Sequence, residues 1–134
     1  MEHLKAKNRL VRHTLSAPLI YSALIPIVIM DLWIEIYHRV CFPLYKIPYV
    51  KRSNYIKIDR HKLKYLNWLQ KINCAYCGYA NGAVHYWTKI AADTEKYWCG
   101  IQHQKMKGFI APKHHKDFAK YDDEAEFKEK YLKS

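Results

Sequence analysis

Residues 60–98 read RHKLKYLNWLQKINCAYCGYANGAVHYWTKIAADTEKYW, and the way this stretch divides decides the fold. Leu63, Leu66, Leu69 and Ile72 recur every third residue, with Lys62, Lys64 and Lys71 off that stripe, which predicts an amphipathic helix over 60–72. Val84, Trp87, Ala91, Thr94 and Trp98 fall at helical spacing and predict a second helix over 83–98, ended near Gly100. Asn81-Gly82 punctuates the chain between them. The expectation is two helices, each about 20–24 Å long, packed antiparallel as a small head.

The same stretch holds the densest metal-ligand chemistry. Cys74 and Cys77 form a Cys-x-x-Cys pair, and Cys99 with His103 forms a second pair four residues apart. Three thiolates and an imidazole make a tetrahedral set suited to zinc and compatible with iron. Reach opposes a shared site, because an unbroken helix over 83–98 puts Cys99 roughly 24 Å from its start. The six steps from Cys77 to Ala83 span at most about 20 Å. Antiparallel packing offers a rival cluster of His61, Cys99 and His103 with Asp59 nearby, an N/S/O set with room for water. A thiol-disulfide pair at Cys74 and Cys77 is a third reading, and a fourth has the cysteines as small buried hydrophobes. Cys41 reads as packing, and His114 and His115 as part of an exposed basic turn.

Outward from the head, residues 13–30 contain no Asp, Glu, Lys or Arg, and Leu32, Trp33, Ile34, Ile36 and Tyr37 prolong the apolar character. Roughly 20 residues span a bilayer, so the run fits a tilted span, a monotopic anchor, a shallow helical hairpin or a buried core helix. No small-residue cleavage pattern follows it, and Trp33 and Tyr37 suit an interfacial position. Pro18 and Pro26 each remove an amide donor and can kink a helix. Asp31, Glu35 and His38 stand at i, i+4 and i+7, one helical face. Glu35 and His38 form a Glu-x-x-His step of the kind found in carboxylate-bridged di-iron bundles, although such a stripe is ordinarily solvated.

Charge sharpens this picture. The 134-residue chain has 23 Lys plus Arg against 12 Asp plus Glu, a formal charge of +11. Nine of the basic residues fall between Arg39 and Lys71, where Asp59 is the one acid. A basic belt beside an apolar segment points to anionic lipid, at about 1 kcal/mol per Lys or Arg near the surface. Composition excludes a collagenous or wholly disordered chain, and four cysteines without a cleavable signal suggest a reducing compartment. The expected organisation is a basic flank at 1–14, a membrane-associated segment at 15–38, a basic linker at 39–59, a helical Cys/His domain at 60–107 and a charged tail at 108–134. The fold class is all-α.

Three strings, Ile58-Asp59-Arg60-His61-x-Leu63-x-Tyr65-Leu66-Asn67, Asn73-Cys74-x-Tyr76-Cys77-x-Tyr79-x-Asn81-Gly82 and Glu95-Lys96-Tyr97-Trp98-Cys99-x-Ile101-x-His103, carry a resemblance. Together with the Asp-Leu-Trp and Cys-Phe-Pro-Leu-Tyr stretches upstream, they resemble an uncharacterised family of short bacterial proteins with an apolar N-terminal segment. The resemblance covers roughly residues 27–103 and implies a bacterial origin; it transfers no activity.

Three functions compete. The first is a membrane-anchored accessory protein on the cytoplasmic face of the bacterial inner membrane, with a structural metal site and a protein partner. The second is a metal-dependent enzyme or redox protein acting on a lipid-like or quinone-like substrate. No Ser-His-Asp order, Walker A loop, Gly-x-Gly-x-x-Gly or zincin motif supports it, and no catalytic residue is assigned. Nucleic-acid binding, from Tyr and Trp interleaved with Lys in 45–71, is third, because lipid accounts for the same charges.

Overall fold

The computed structural model describes residue 5 and residues 7–133. The expected flank at 1–14 and tail at 108–134 therefore lie partly outside the described residues. Four α-helices follow one another: α1 (Arg9–Ser22), α2 (Leu24–Leu44), α3 (Trp68–Trp98) and α4 (Glu124–Tyr131). Three short 3-10 turns punctuate the intervening chain, at Arg52–Asn54, Arg60–Lys62 and Lys113–Asp117. Among the described residues there is no strand, only an isolated parallel bridge between Ile101 and Ala119.

Pro26 cannot donate an amide hydrogen to the carbonyl of Ser22, and the helix is interrupted at Ala23. Ala23 nevertheless keeps helical torsions, φ −62° and ψ −18°, so α1 and α2 continue as one rod and not as a hairpin. The rod is 36 residues long, about 54 Å, and is long and apolar enough to cross a membrane. Only 6% of its most apolar stretch is covered by the rest of the protein.

The stretch expected to form two antiparallel helices is one. Asn67 caps its start, with its side chain accepting from the Gln70 amide at 2.9 Å and the Gln70 side chain accepting from the Asn67 amide at 3.0 Å. Helix therefore begins at Trp68 and not at Arg60, and the three-residue periodicity of 63–72 is not a core stripe: Leu66 is buried, whereas Leu69 and Ile72 stand about half exposed. Asn81-Gly82 does not break α3 either. The Asn81 side-chain Nδ2 donates to the Cys77 carbonyl one turn back, at 3.0 Å.

The glycines serve another purpose. A Cβ at Gly82 would lie 2.8 Å from the Tyr55 carbonyl oxygen and 2.9 Å from the Ile56 Cα, and one at Gly78 would lie 3.0 Å from the Lys57 carbonyl oxygen. One turn apart on α3, they form a track on which residues 55–57 run with backbone against backbone. This strap descends α3 from its middle toward its start.

Direction follows from the contacts. Tyr76 donates to the Ile20 carbonyl at 2.8 Å, Tyr37 meets Thr94 at 2.8 Å, and Tyr45 stacks on Tyr97 with centroids 4.7 Å apart. Residue numbers rise together, so α2 and α3 are parallel, and residues 45–67 return the chain between them. The apolar core at this junction is small: Phe42, Val50, Tyr86 and Ile90, flanked by Ile34, Tyr37, Ile47, Tyr55 and Trp87. The described chain exposes 10939 Å². A compact monomer of 16.1 kDa would expose about 7,400 Å², so a large apolar surface stays uncovered.

Candidate metal centre

Polar side chains gather in two places, and they differ in how completely their atoms are matched. The first is the inner face of α2. Asp31, 6% exposed, accepts from both terminal nitrogens of Arg52, from Tyr79 at 2.7 Å and from Trp87 Nε1 at 3.1 Å. Glu35 accepts from Arg39 at 2.7 Å, Tyr49 at 3.2 Å and Tyr86 at 3.0 Å. The bond to Asp31 raises the Arg52 guanidinium further above its usual range, while burial and the same carboxylate push the Tyr79 hydroxyl up to about 12.

His38, fully buried, completes this set, and its tautomer follows from its neighbours. The Val50 amide donates to Nε2 at 3.1 Å, so Nε2 carries no hydrogen. The hydrogen is on Nδ1 and points to the Tyr86 oxygen at 3.0 Å, and Tyr86 in turn donates to Glu35. The face shared by Asp31, Glu35 and His38 is thus neither solvated nor built around an ion. Arg52, delivered by the strap, is the cation between the two carboxylates, 3.8 Å from Glu35.

The second place is the C-terminal end of α3. Glu95 projects from its last turn, the chain leaves the helix at Cys99, and residues 100–119 fold back. The Gln102 amide donates to the Ala119 carbonyl at 2.8 Å, the Ala119 amide donates to the Gly100 carbonyl at 2.6 Å, and the Gln102 side chain donates to the Phe118 carbonyl at 3.0 Å. This return sets His114 Nε2 at 2.6 Å and His115 Nε2 at 3.0 Å from the two Glu95 oxygens. The bond to His114, helped by that to His115, holds the Glu95 carboxyl below its usual range. His103 stands beside His115, ring centroids 5.3 Å apart. Glu95, His103 and His115 can each offer one ligand atom within 4.8 Å of the others.

His115 is 3% exposed, and its Nδ1 is a buried side-chain nitrogen with no hydrogen-bond partner among the described residues. Leaving such a group unpaired costs about 1–3 kcal/mol. Two imidazoles and a carboxylate are ligands that zinc and ferrous iron both accept. Ligand atoms around a tetrahedral zinc stand about 3.3 Å apart, so the three groups need draw in by at most about 1.5 Å. His103 is exposed, which leaves the solvent side of the group accessible.

The ligand sets expected from sequence are not assembled. α3 is continuous, so 22 residues of rise, about 33 Å, separate Cys77 from Cys99, and Cys74, Cys77, Cys99 and His103 do not surround one point. Lys57 lies against Gly78, 21 residues and about 31 Å of helix below Cys99, and Asp59 pairs with Lys57 at 3.5 Å, so Asp59 and His61 follow the strap at the other end of α3 from Cys99. Cys99 is exposed and its thiol faces the Ile101 carbonyl. Of the predicted ligands only His103 joins the cluster that forms. Its other members, Glu95 and His115, with His114 beside them, belong to none of the expected ligand sets, and the basic turn expected to be exposed buries His115 instead. One hint lay in Glu95 itself, one of three acids in residues 39–112, and another in the paired imidazoles behind Pro112.

Comparison with protein-family models, with curated proteins and with solved structures finds no match.

Proposed function

We propose that this chain is a membrane-surface protein whose C-terminal head is fastened by one divalent transition-metal ion, zinc first and iron second, held by Glu95, His103 and His115. The buried His115 ring, set with Nε2 3.0 Å from a Glu95 oxygen and with a second imidazole, His103, in the same group, carries this reading. An ion there joins the last turn of α3 to residues 100–118, where the apolar core is thin. That is a structural role suited to an accessory or interaction protein with a protein partner.

The membrane part rests on the bare outer face of α1 and α2, where Leu15, Leu19, Ile25, Ile29, Leu32 and Trp33 are 63–76% exposed. A shallow seat fits better than a full span. The strap, which runs along α3 beside this rod, carries exposed Lys51, Lys57, Arg60, Lys62 and Lys64, which a spanning arrangement would draw toward hydrocarbon. With the apolar face immersed and the strap above it, those charges stay at anionic headgroups, in keeping with the cytoplasmic face of a bacterial inner membrane.

Metal content of the full chain extracted from membranes tests the site. About one ion per chain is expected, lost in Glu95→Gln and in His115→Ala and retained in the Cys74→Ser/Cys77→Ser pair. Retention in the first two, or loss in the cysteine pair, removes this reading. The exposure of His103 favours a second one, an open coordination position used in catalysis on a lipid-like substrate. A visible absorption band that responds to added ligand would support it.

A further inference from the structure

At the end of the molecule where α2 and α3 both finish, a cleft of about 620 Å³ opens between the turn after α2, the start of the strap and α3. Lys46, Lys51, Lys89 and Lys96 line it against one acid, Asp93. Lys89 is engaged by Asp93 at 2.5 Å, while Lys46, Lys51 and Lys96 make no ion pair among the described residues. The chain reaches this arrangement at some cost, since Lys46 sits at φ +55°, a left-handed conformation rare for a side chain of its kind.

Neutralising helix ends does not account for four lysines. Two helix C-termini carry about half a negative charge each, and Asp93 adds one more, which leaves about two positive charges unmatched. Aromatic rings frame the opening: Tyr49 and Tyr97 are each about half exposed, and Trp98 packs edge-on to Tyr45 at 5.4 Å. Tyr and Trp beside lysine at the margin of an apolar surface is the composition of a membrane interface. Val40 and Leu44, 55% and 72% exposed, continue the bare face of α2 up to the rim.

We infer that this cleft holds the phosphate of an anionic lipid headgroup, with Lys46, Lys51 and Lys96 around the phosphate and the acyl chains lying along the exposed face of α2. The inference deepens the membrane reading and rests on it. Lys89, Asp93, Lys96 and Tyr97 occupy one face of α3, and Glu95 projects roughly 140° around the helix from that face, so the headgroup site and the metal centre are separate.

Sedimentation of the full chain with vesicles tests it. The wild type is expected to bind phosphatidylcholine vesicles and to bind about tenfold more tightly when a fifth of the lipid is phosphatidylglycerol. Lys46→Gln/Lys51→Gln/Lys96→Gln abolishes that tenfold gain and keeps the binding to phosphatidylcholine, whereas Lys105→Gln/Lys107→Gln/Lys113→Gln, an equal change of charge on exposed lysines away from the cleft and the strap, keeps the gain. Equal losses in the two triple variants mean diffuse attraction and overturn the site. So does glycerol 3-phosphate binding to the cleft without vesicles as tightly as lipid does, which makes the ligand a soluble phosphate ester. Absence of binding to every vesicle overturns the membrane reading itself, an outcome distinct from binding that ignores charge.

Discussion

The middle of the α2–α3 pair and the C-terminal end of α3 are both built from carboxylates and imidazoles, yet they differ in one respect. In the middle, the His38 nitrogens and the carboxylate oxygens of Asp31 and Glu35 all have named partners, and the cation is Arg52. At the end, two imidazoles share one carboxylate, and His115 retains an unmatched nitrogen. A closed set holds a fold together. An open one leaves chemistry to be supplied from outside.

That contrast can be broken at its strongest point by Arg52→Ala, which strands Asp31 as a buried charge. A loss of about 3 kcal/mol in chemical denaturation is expected, partly recovered when Asp31→Asn is added, with metal content unchanged. If Arg52→Ala leaves stability intact, the closed set is not what joins the helices. Next in size is removal of the ion proposed at Glu95, His103 and His115. Free ion at a hundred times its dissociation constant stabilises by about 2.7 kcal/mol, so chelation should lower the midpoint of the head and spare the Arg52 network, as followed by proteolysis of residues 100–118.

Tyr86→Phe sharpens the comparison, because it deletes the one hydroxyl that both accepts from His38 and donates to Glu35. About 1–2 kcal/mol should be lost, again with metal retained. The smallest effect is expected at the strap. Gly82→Ala gains helix propensity of up to about 1 kcal/mol but forces Tyr55 and Ile56 away, leaving a net loss of about 1 kcal/mol. Gly78→Ala, with one backbone atom at 3.0 Å and not two below it, should cost less.

Composition and periodicity carried the all-α class, the apolar N-terminal rod and the clustering of positive charge. The spacing of Asp31, Glu35 and His38 also placed them on one face. Their partners could not be read, because Tyr79 and Tyr86 reach them from α3, 48 and 51 residues away, and Arg52, 21 residues away, from a strap whose path depends on two glycines. Gly82 looked like a helix break since glycine weakens helices locally; here a backbone-on-backbone contact outweighs that propensity. The cysteines misled for a similar reason. Cys-x-x-Cys has the spacing of a metal turn, yet on an uninterrupted helix its thiols stay far from the next ligand pair. The return of His114 and His115 to Glu95, 19 and 20 residues upstream, follows from no periodicity or spacing in the sequence.

Because α2 and α3 point the same way, no tight turn can bring them together, and their hydrogen bonds join residues 48 to 57 positions apart. Helix α3, with its own cap, can form early, but the pairing must wait until the intervening chain has travelled back along the Gly78–Gly82 track. Assembly is therefore ordered in time: loop closure comes first, and the apolar rod is left bare for an interval in which a nearby bilayer competes with self-association for its outer face.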